Sequence, residues 1–112
     1  MTLGEKQRLF ASLLPGLIQQ ALAIGYEVTL GECWRPPEMA EEYFRQGKGI
    51  RKSVHCDKLA IDLNLFKDGR YLEETVDHQA LGTWWKQQHE LCCWGGDWGD
   101  GNHYSLEHSG RK

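Results

Sequence analysis

The segment SVHCDKLAIDLNLF, residues 53–66, decides the fold of this chain. From position 59 onward it alternates strictly: leucine or isoleucine occupies positions 59, 61, 63 and 65, and Ala60, Asp62 and Asn64 lie between them. This period of two residues predicts a β-strand with one buried face. The acid at its centre follows His55 by seven residues, which makes the opposite face a candidate site.

Helices and further strands are expected around this segment. We predict a helix over residues 3–24 in two pieces around Pro15, a strand within 26–34, a helix from Pro37 to about Gln46, a turn at 67–70, a helix near 77–91 and a strand over 102–108. The glycine-rich stretch 92–104 is expected to be a shaped loop. These elements predict an α+β architecture, a small and mainly antiparallel sheet with flanking helices, forming one domain over residues 1–112.

Each predicted helix has an apolar face that should pack on the sheet. The residues expected there are Leu9, Phe10, Leu13, Leu17, Ile18 and Leu22 in the first helix, Met39, Tyr43 and Phe44 in the second, and Leu81, Trp84, Trp85 and Leu91 in the third.

Composition excludes several classes of function. The 13 basic and 16 acidic residues give a net charge of −3, without the basic stripe that would bind nucleic acid.

We expect no membrane span and no signal peptide, since early charges and Pro15 interrupt the apolar positions at the start. The four cysteines form no CxxC pair, so reduced thiols in a chain made in the cytoplasm are expected. The basic segment 47–53 is expected to be a solvated loop, although a basic lip would suit an anionic wall polymer.

Two histidines and an acid could meet on the polar face of the central strand. His55 precedes this strand, Asp62 lies within it, and His103 lies on the final strand, which can pair beside it. Two imidazoles and one carboxylate suit zinc with an open fourth position, although an isolated histidine is more often structural. Asp100, three residues before His103 in a glycine-rich turn, could accept a proton from a metal-bound water.

Three separated motifs carry a resemblance to a known family. In chain order they are Ser53-x-His55, Ala60-x-Asp62 and Trp94-x-x-x-Trp98-x-Asp100-x-x-His103-Tyr104. They resemble the signature of the zinc D-alanyl-D-alanine carboxypeptidases and the phage L-alanyl-D-glutamate endolysins, which have the hedgehog/DD-peptidase fold. The resemblance runs from about Trp34 to Glu107.

The resemblance implies a role for each matched residue. His55, Asp62 and His103 match the zinc ligands of the family, one Zn²⁺ per chain, and Asp100 matches its catalytic base. Arg35, placed ahead of a helix, matches an arginine that holds the substrate carboxylate.

Two further positions complete the comparison with the family. Ser53 matches a serine that supports the substrate site by hydrogen bonding. One position departs: relatives often have glycine where this chain has Lys58.

Several other side chains admit a plainer interpretation. Cys56 is expected to be a packed thiol rather than a ligand, and His78 and His89 to be surface histidines. Glu107 and His108 follow His103 on the same predicted strand, so a supporting role for either stays open.

The resemblance implies a zinc peptidase that cuts peptidoglycan stem peptides, most simply a phage or prophage endolysin. A D-alanyl-D-alanine carboxypeptidase and a non-catalytic, zinc-stabilised wall-binding module remain alternatives. Without an export signal, the protein would reach the wall only after holin-type permeabilisation of the membrane.

Overall fold

The structure, a computed structural model, describes residues 1–48 and 53–112; residues 49–52, inside the expected basic loop, lie outside the described residues. The α-helices are α1 (Leu3–Ala23), α2 (Pro37–Arg45) and α3 (Gln79–Lys86), and the strands are β1 (Glu27–Leu30), β2 (Ala60–Lys67), β3 (Arg70–Leu72), β4 (Cys92–Trp94) and β5 (His103–Leu106). The fold is therefore α+β with a small antiparallel sheet, as the sequence predicts. No helix in the two described ranges is long and apolar enough to cross a bilayer.

The sheet is organised around β2, the strand predicted from the alternating segment. Its order is β1-β2-β5-β4, every pairing is antiparallel, and β3 pairs with the far end of β2 across the predicted turn. Ile61, Leu63 and Leu65 are buried, which confirms the alternation. The register places Asp62 directly opposite His103, so the polar positions of β2 and β5 share one face.

Helix α1 covers the apolar side of the sheet without the break predicted at Pro15. It runs continuously from a capping box formed by Thr2 and Glu5, and Phe10 and Leu17 are buried on either side of the proline. An internal proline costs about 3 kcal/mol, and packing on both sides of Pro15 offsets this loss. Leu22, predicted to face the core, is 54% exposed, because the neighbouring Ala21 takes the buried position at this end of the helix.

Helix α2 lies on the rim and contributes little to the core. Its buried residue is Ala40, whereas Met39 and Phe44, predicted to face inward, are 44% and 46% exposed. This helix has nine residues and packs on the core through one alanine, so its larger apolar side chains do not form a wide buried face. Tyr43 is half-buried and lies under the guanidinium of Arg35, 5.1 Å from its ring centroid.

The region predicted as one helix over 77–91 divides into a 3₁₀ turn, Thr75–His78, and the shorter α3. Leu81 and Trp85 of α3 are buried, as expected. His78 is 2% exposed, so its prediction as a surface residue is wrong. The turn points its imidazole inward, where Nδ1 lies 2.8 Å from the hydroxyl of Tyr104.

Candidate functional site

Three different elements carry the side chains of the site. His55 lies in a 3₁₀ turn, Val54–Asp57, whose preceding residue Ser53 accepts the His55 backbone N–H through its hydroxyl at 3.1 Å. The turn ends at Lys58 in a left-handed conformation with φ of 59°. A side chain there is strained, which accounts for the glycine often found at this position in the resembled family. The turn places the side chain of His55 over the polar face of β2.

The three predicted ligands meet on that face. One ligand atom from each of His55, Asp62 and His103 lies within 4.8 Å of the others. Nε2 of His55 is 3.3 Å from Oδ1 of Asp62, and the two imidazole centroids are 5.2 Å apart. Both histidines are buried, while Asp62 is partly open to solvent. This group could bind a metal ion.

The chemistry of the donor set fits a divalent metal. Burial, with the nearby His55, lowers the pKa of His103 to about 4, so its imidazole is neutral at pH 7 and keeps a lone pair for a ligand. The buried Nδ1 of His55 has no hydrogen-bond partner within the described residues. Nε2 of the same ring faces the carboxylate of Asp62 at 3.3 Å, so a cation between these two atoms would be bound by both.

His103 is held by two neighbours: Ser105, to which the sequence analysis gave no role, and Trp98, which lies in the third motif. The hydroxyl of Ser105 lies 2.9 Å from its Nε2, and the indole of Trp98 packs edge-on against its ring at a centroid distance of 5.4 Å. Ser105 could have been found from its position, since it shares a face of β5 with His103.

Asp100 enters the site from the loop between β4 and β5. Its backbone N–H donates to the carbonyl of Gly95 at 2.8 Å, and its own carbonyl accepts from His103 at 3.2 Å. Only glycine fits at position 95, because a Cβ there would lie 2.1 Å from the Asp100 carbonyl oxygen. Burial, and then the charge of Asp62, raises the pKa of the Asp100 carboxyl, which suits a group that accepts a proton near neutral pH.

Arg35 approaches the same cleft from the chain ahead of α2. Its backbone N–H donates to the carbonyl of His55 at 3.1 Å, and its Nε donates to Oε1 of Glu32 at 2.6 Å. Tyr43 lies beneath the guanidinium, and within residues 1–48 and 53–112 no side-chain hydrogen bond engages its two terminal nitrogens, which can therefore bind a ligand. The sequence analysis missed Glu32, an acid in an irregular segment where spacing alone predicts no contact.

One cleft of about 310 Å³ contains all six residues singled out from the sequence. It is lined by Arg35, Ser53, His55, Asp62, Trp98, Asp100, His103 and Lys112. The structure thus brings the predicted residues together, while the chemical role of each stays a prediction.

The remaining candidates lie elsewhere. Glu107 accepts the backbone N–H of Gly110 at 2.6 Å, and Nδ1 of His108 lies 3.2 Å from Nζ of Lys6, so both serve the C-terminal turn. The four cysteines are free thiols, and Cys56 is not part of the metal-binding group.

Comparison with known proteins finds a solved structure with a similar fold. No family model matches the chain, and no curated protein matches it. Among solved structures, the L-Ala D-Glu endopeptidase ChiX of Serratia marcescens superimposes with a TM-score of 0.70 over 93% of this chain and 85% of that chain, at 22% sequence identity. This chain shares its α+β fold.

Proposed function

We propose that this chain is a zinc metallopeptidase that hydrolyses peptide bonds in peptidoglycan stem peptides, acting as an L-alanyl-D-glutamate endopeptidase. The observation that carries the proposal is the meeting of His55, Asp62 and His103 beside Asp100 in one open cleft. Three protein ligands with space for a fourth are typical of catalytic rather than structural zinc.

The three ligand side chains would hold Zn²⁺, which supplies Lewis acidity to the scissile carbonyl and lowers the pKa of water. Asp100 acts next to them: a carboxylate oxygen takes the proton of the attacking water and later gives it to the leaving amine. Burial raises the pKa of its carboxyl, and this direction supports the role because a base with a higher pKa accepts the proton more readily.

Arg35 would hold a carboxylate of the substrate. Its Nε is engaged by Glu32 and its face by Tyr43, so the guanidinium is pre-oriented and its two terminal nitrogens can bind a carboxylate bidentately. Ser53 contributes by fixing the backbone of His55. Trp98, 47% exposed beside His103, would form an apolar wall against the peptide.

The structural neighbour is an L-Ala D-Glu endopeptidase, which favours the endopeptidase over the D-alanyl-D-alanine carboxypeptidase for this chain. Arg35 suits either reaction, because both substrates present a carboxylate. A non-catalytic wall-binding module is less favoured, since such a module would not need an acid such as Asp100 in the same cleft as the metal ligands. As an endolysin of a phage or prophage, the protein would meet its substrate after a holin-type permeabilisation of the membrane.

The test is incubation of the zinc-loaded protein with purified muropeptides, followed by mass spectrometry. Cleavage between L-alanine and D-glutamate is the expected result. Release of free D-alanine would instead identify the carboxypeptidase. If the zinc-loaded protein yields no product but still sediments with peptidoglycan, the binding module would replace the peptidase.

A further inference from the structure

The carboxylate of Glu32 lies between the proposed substrate anchor and a proposed metal ligand. Its Oε1 accepts a hydrogen bond from Nε of Arg35 at 2.6 Å and lies 3.8 Å from Nδ1 of His55. The side chains of Arg35, His55 and Glu32 are 13%, 4% and 27% exposed, so both contacts are partly shielded from water. A carboxylate has about four acceptor positions on its two oxygens, enough for both partners.

The imidazole of His55 is oriented with one nitrogen toward each acid. Nε2 faces Asp62 at 3.3 Å, and Nδ1 faces Glu32. Within the described residues, Nδ1 of His55 is the buried side-chain atom without a hydrogen-bond partner. A buried N–H group without an acceptor is costly, and a contraction of about 0.8 Å would bring Glu32 within hydrogen-bond distance.

The backbone of Glu32 is fixed to the strand that carries Asp62. The N–H of Asp62 donates to the carbonyl of Glu32 at 2.9 Å, and the N–H of Gly31 donates to the carbonyl of Asp62 at 2.7 Å. A Cβ at position 31 would lie 2.8 Å from the Asp62 carbonyl oxygen, so glycine is needed for this close approach. Glu32 therefore has a defined position relative to the proposed ligands and is not a mobile surface acid.

We propose that Glu32 is a positioning residue with two partners. It orients Arg35 for substrate and accepts a hydrogen bond from the Nδ1–H of His55, so that one carboxylate orients both side chains. An acid that accepts the second N–H of a metal-bound histidine fixes its tautomer and makes it a better ligand. The substrate half of this inference rests on the proposed function, whereas the metal half needs only that the site binds zinc.

The experiment compares Glu32→Gln with the parent and with Glu27→Gln, which makes the same change at an exposed position on β1 away from the cleft. Zinc affinity is measured by competition with a chromophoric chelator, without substrate. We expect Glu32→Gln to bind zinc 10- to 100-fold more weakly and Glu27→Gln to match the parent. Zinc affinity of Glu32→Gln within twofold of the parent would overturn the proposal.

Steady-state kinetics on a stem peptide tests the second contact. With zinc saturating, Glu32→Gln should raise KM more than it lowers kcat, and adding Arg35→Lys to it should cost less than the sum of the two single changes. Strict additivity would overturn the link to Arg35. If the parent protein cleaves no peptide, the proposed function fails, while the chelator experiment still decides the role toward His55.

A purely structural role for Glu32 makes a different prediction. In that case Glu32→Gln would lower the melting temperature of the metal-free protein. Its zinc affinity would be unchanged at temperatures where the variant is folded, and this result would also overturn the proposal. Glu32→Asp, which keeps the charge and withdraws the carboxylate by one methylene, gives a second variant should Glu32→Gln fail to fold. It should weaken zinc binding in the same direction.

Discussion

The hydroxyl of Ser105 lies 2.9 Å from Nε2 of His103, two residues away on the same face of β5. Both side chains are buried, and the strand holds them in a fixed relation. A hydrogen bond at one ring nitrogen of a histidine fixes the direction in which the other nitrogen points. The Ser105 hydroxyl therefore orients His103, a proposed ligand.

Ser105→Ala should therefore weaken zinc binding about tenfold without unfolding the protein, because the change removes only the hydroxyl. Chelator competition measures the affinity, and circular dichroism checks the fold. Ser12→Ala, which removes a hydroxyl on α1 that bonds only to the backbone of its own helix, is the matched control. Equal zinc affinity in both variants would exclude a role for Ser105.

His55→Ala and His103→Ala should each abolish stoichiometric zinc binding, because two remaining protein ligands hold zinc much less tightly than three. Elemental analysis of the purified variants measures the metal content. His108→Ala, at the C-terminal turn, should keep one zinc per chain. Full zinc retention in both ligand variants would place the metal elsewhere.

Asp100→Asn should keep zinc and fold but lose about a hundredfold to ten-thousandfold in kcat, since an amide preserves the shape and cannot accept the proton. Asp97→Asn, an exposed change in the same loop, is the control. A variant at position 100 with activity within a few-fold of the parent would assign the base to another group.

Arg35→Lys should bind zinc normally and turn over peptidoglycan fragments clearly more slowly, because lysine keeps the charge and loses the planar fork. The defect should persist in moderate salt, since a shielded bidentate pair is screened less than a surface charge. Arg45→Lys, at the exposed end of α2, should behave as the parent. Loss of zinc from Arg35→Ala would contradict the substrate-anchor role and identify Arg35 as a structural partner of the site.

The buried His78 should make the fold sensitive to acid. Burial lowers its pKa from 6.5 to about 4, so between these values the unfolded chain binds the proton and the folded chain does not. Unfolding free energy should accordingly fall as the pH falls through this window, by about 3 kcal/mol in total from this residue. Urea unfolding of the metal-free protein from pH 7 to pH 4 measures the slope.

His78→Asn retains a polar atom near the Tyr104 hydroxyl and cannot be protonated in this range. It should be less stable than the parent at pH 7 and lose less of its stability on acidification. Parallel pH profiles for the parent and His78→Asn would show that His78 is not the source of the acid sensitivity.

The central strand and the candidate site could be predicted because each depends on local pattern. Alternation predicted β2, and a histidine ahead of that strand with an acid inside it made His55 and Asp62 candidates. The roles of Arg35 and Ser53 came from the resemblance to the family motifs. Residues that join separate elements were harder to predict. Glu32 is adjacent to Arg35 only because the chain turns there outside regular structure, and no periodicity describes that turn.

The errors have a common physical origin in packing between elements. The continuity of α1 through Pro15, the burial of His78 and the exposure of Phe44 all depend on which surface each element meets, and that surface is supplied by distant parts of the chain. The helix propensities of the residues and their spacing predict a helix with an apolar face. Contacts with distant parts of the chain decide whether that face is buried.

The pairing of Asp62 with His103 also links the site to the assembly of the sheet. Because side chains alternate between faces, a slip of one residue between β2 and β5 would turn one of the two away from the cleft. A metal ion held by both would bind only the correctly aligned pair. Its binding would stabilise that alignment over every shifted one, by a free energy that grows with the logarithm of the metal concentration. The ion would thus select the native strand register during folding, before any peptide is cut.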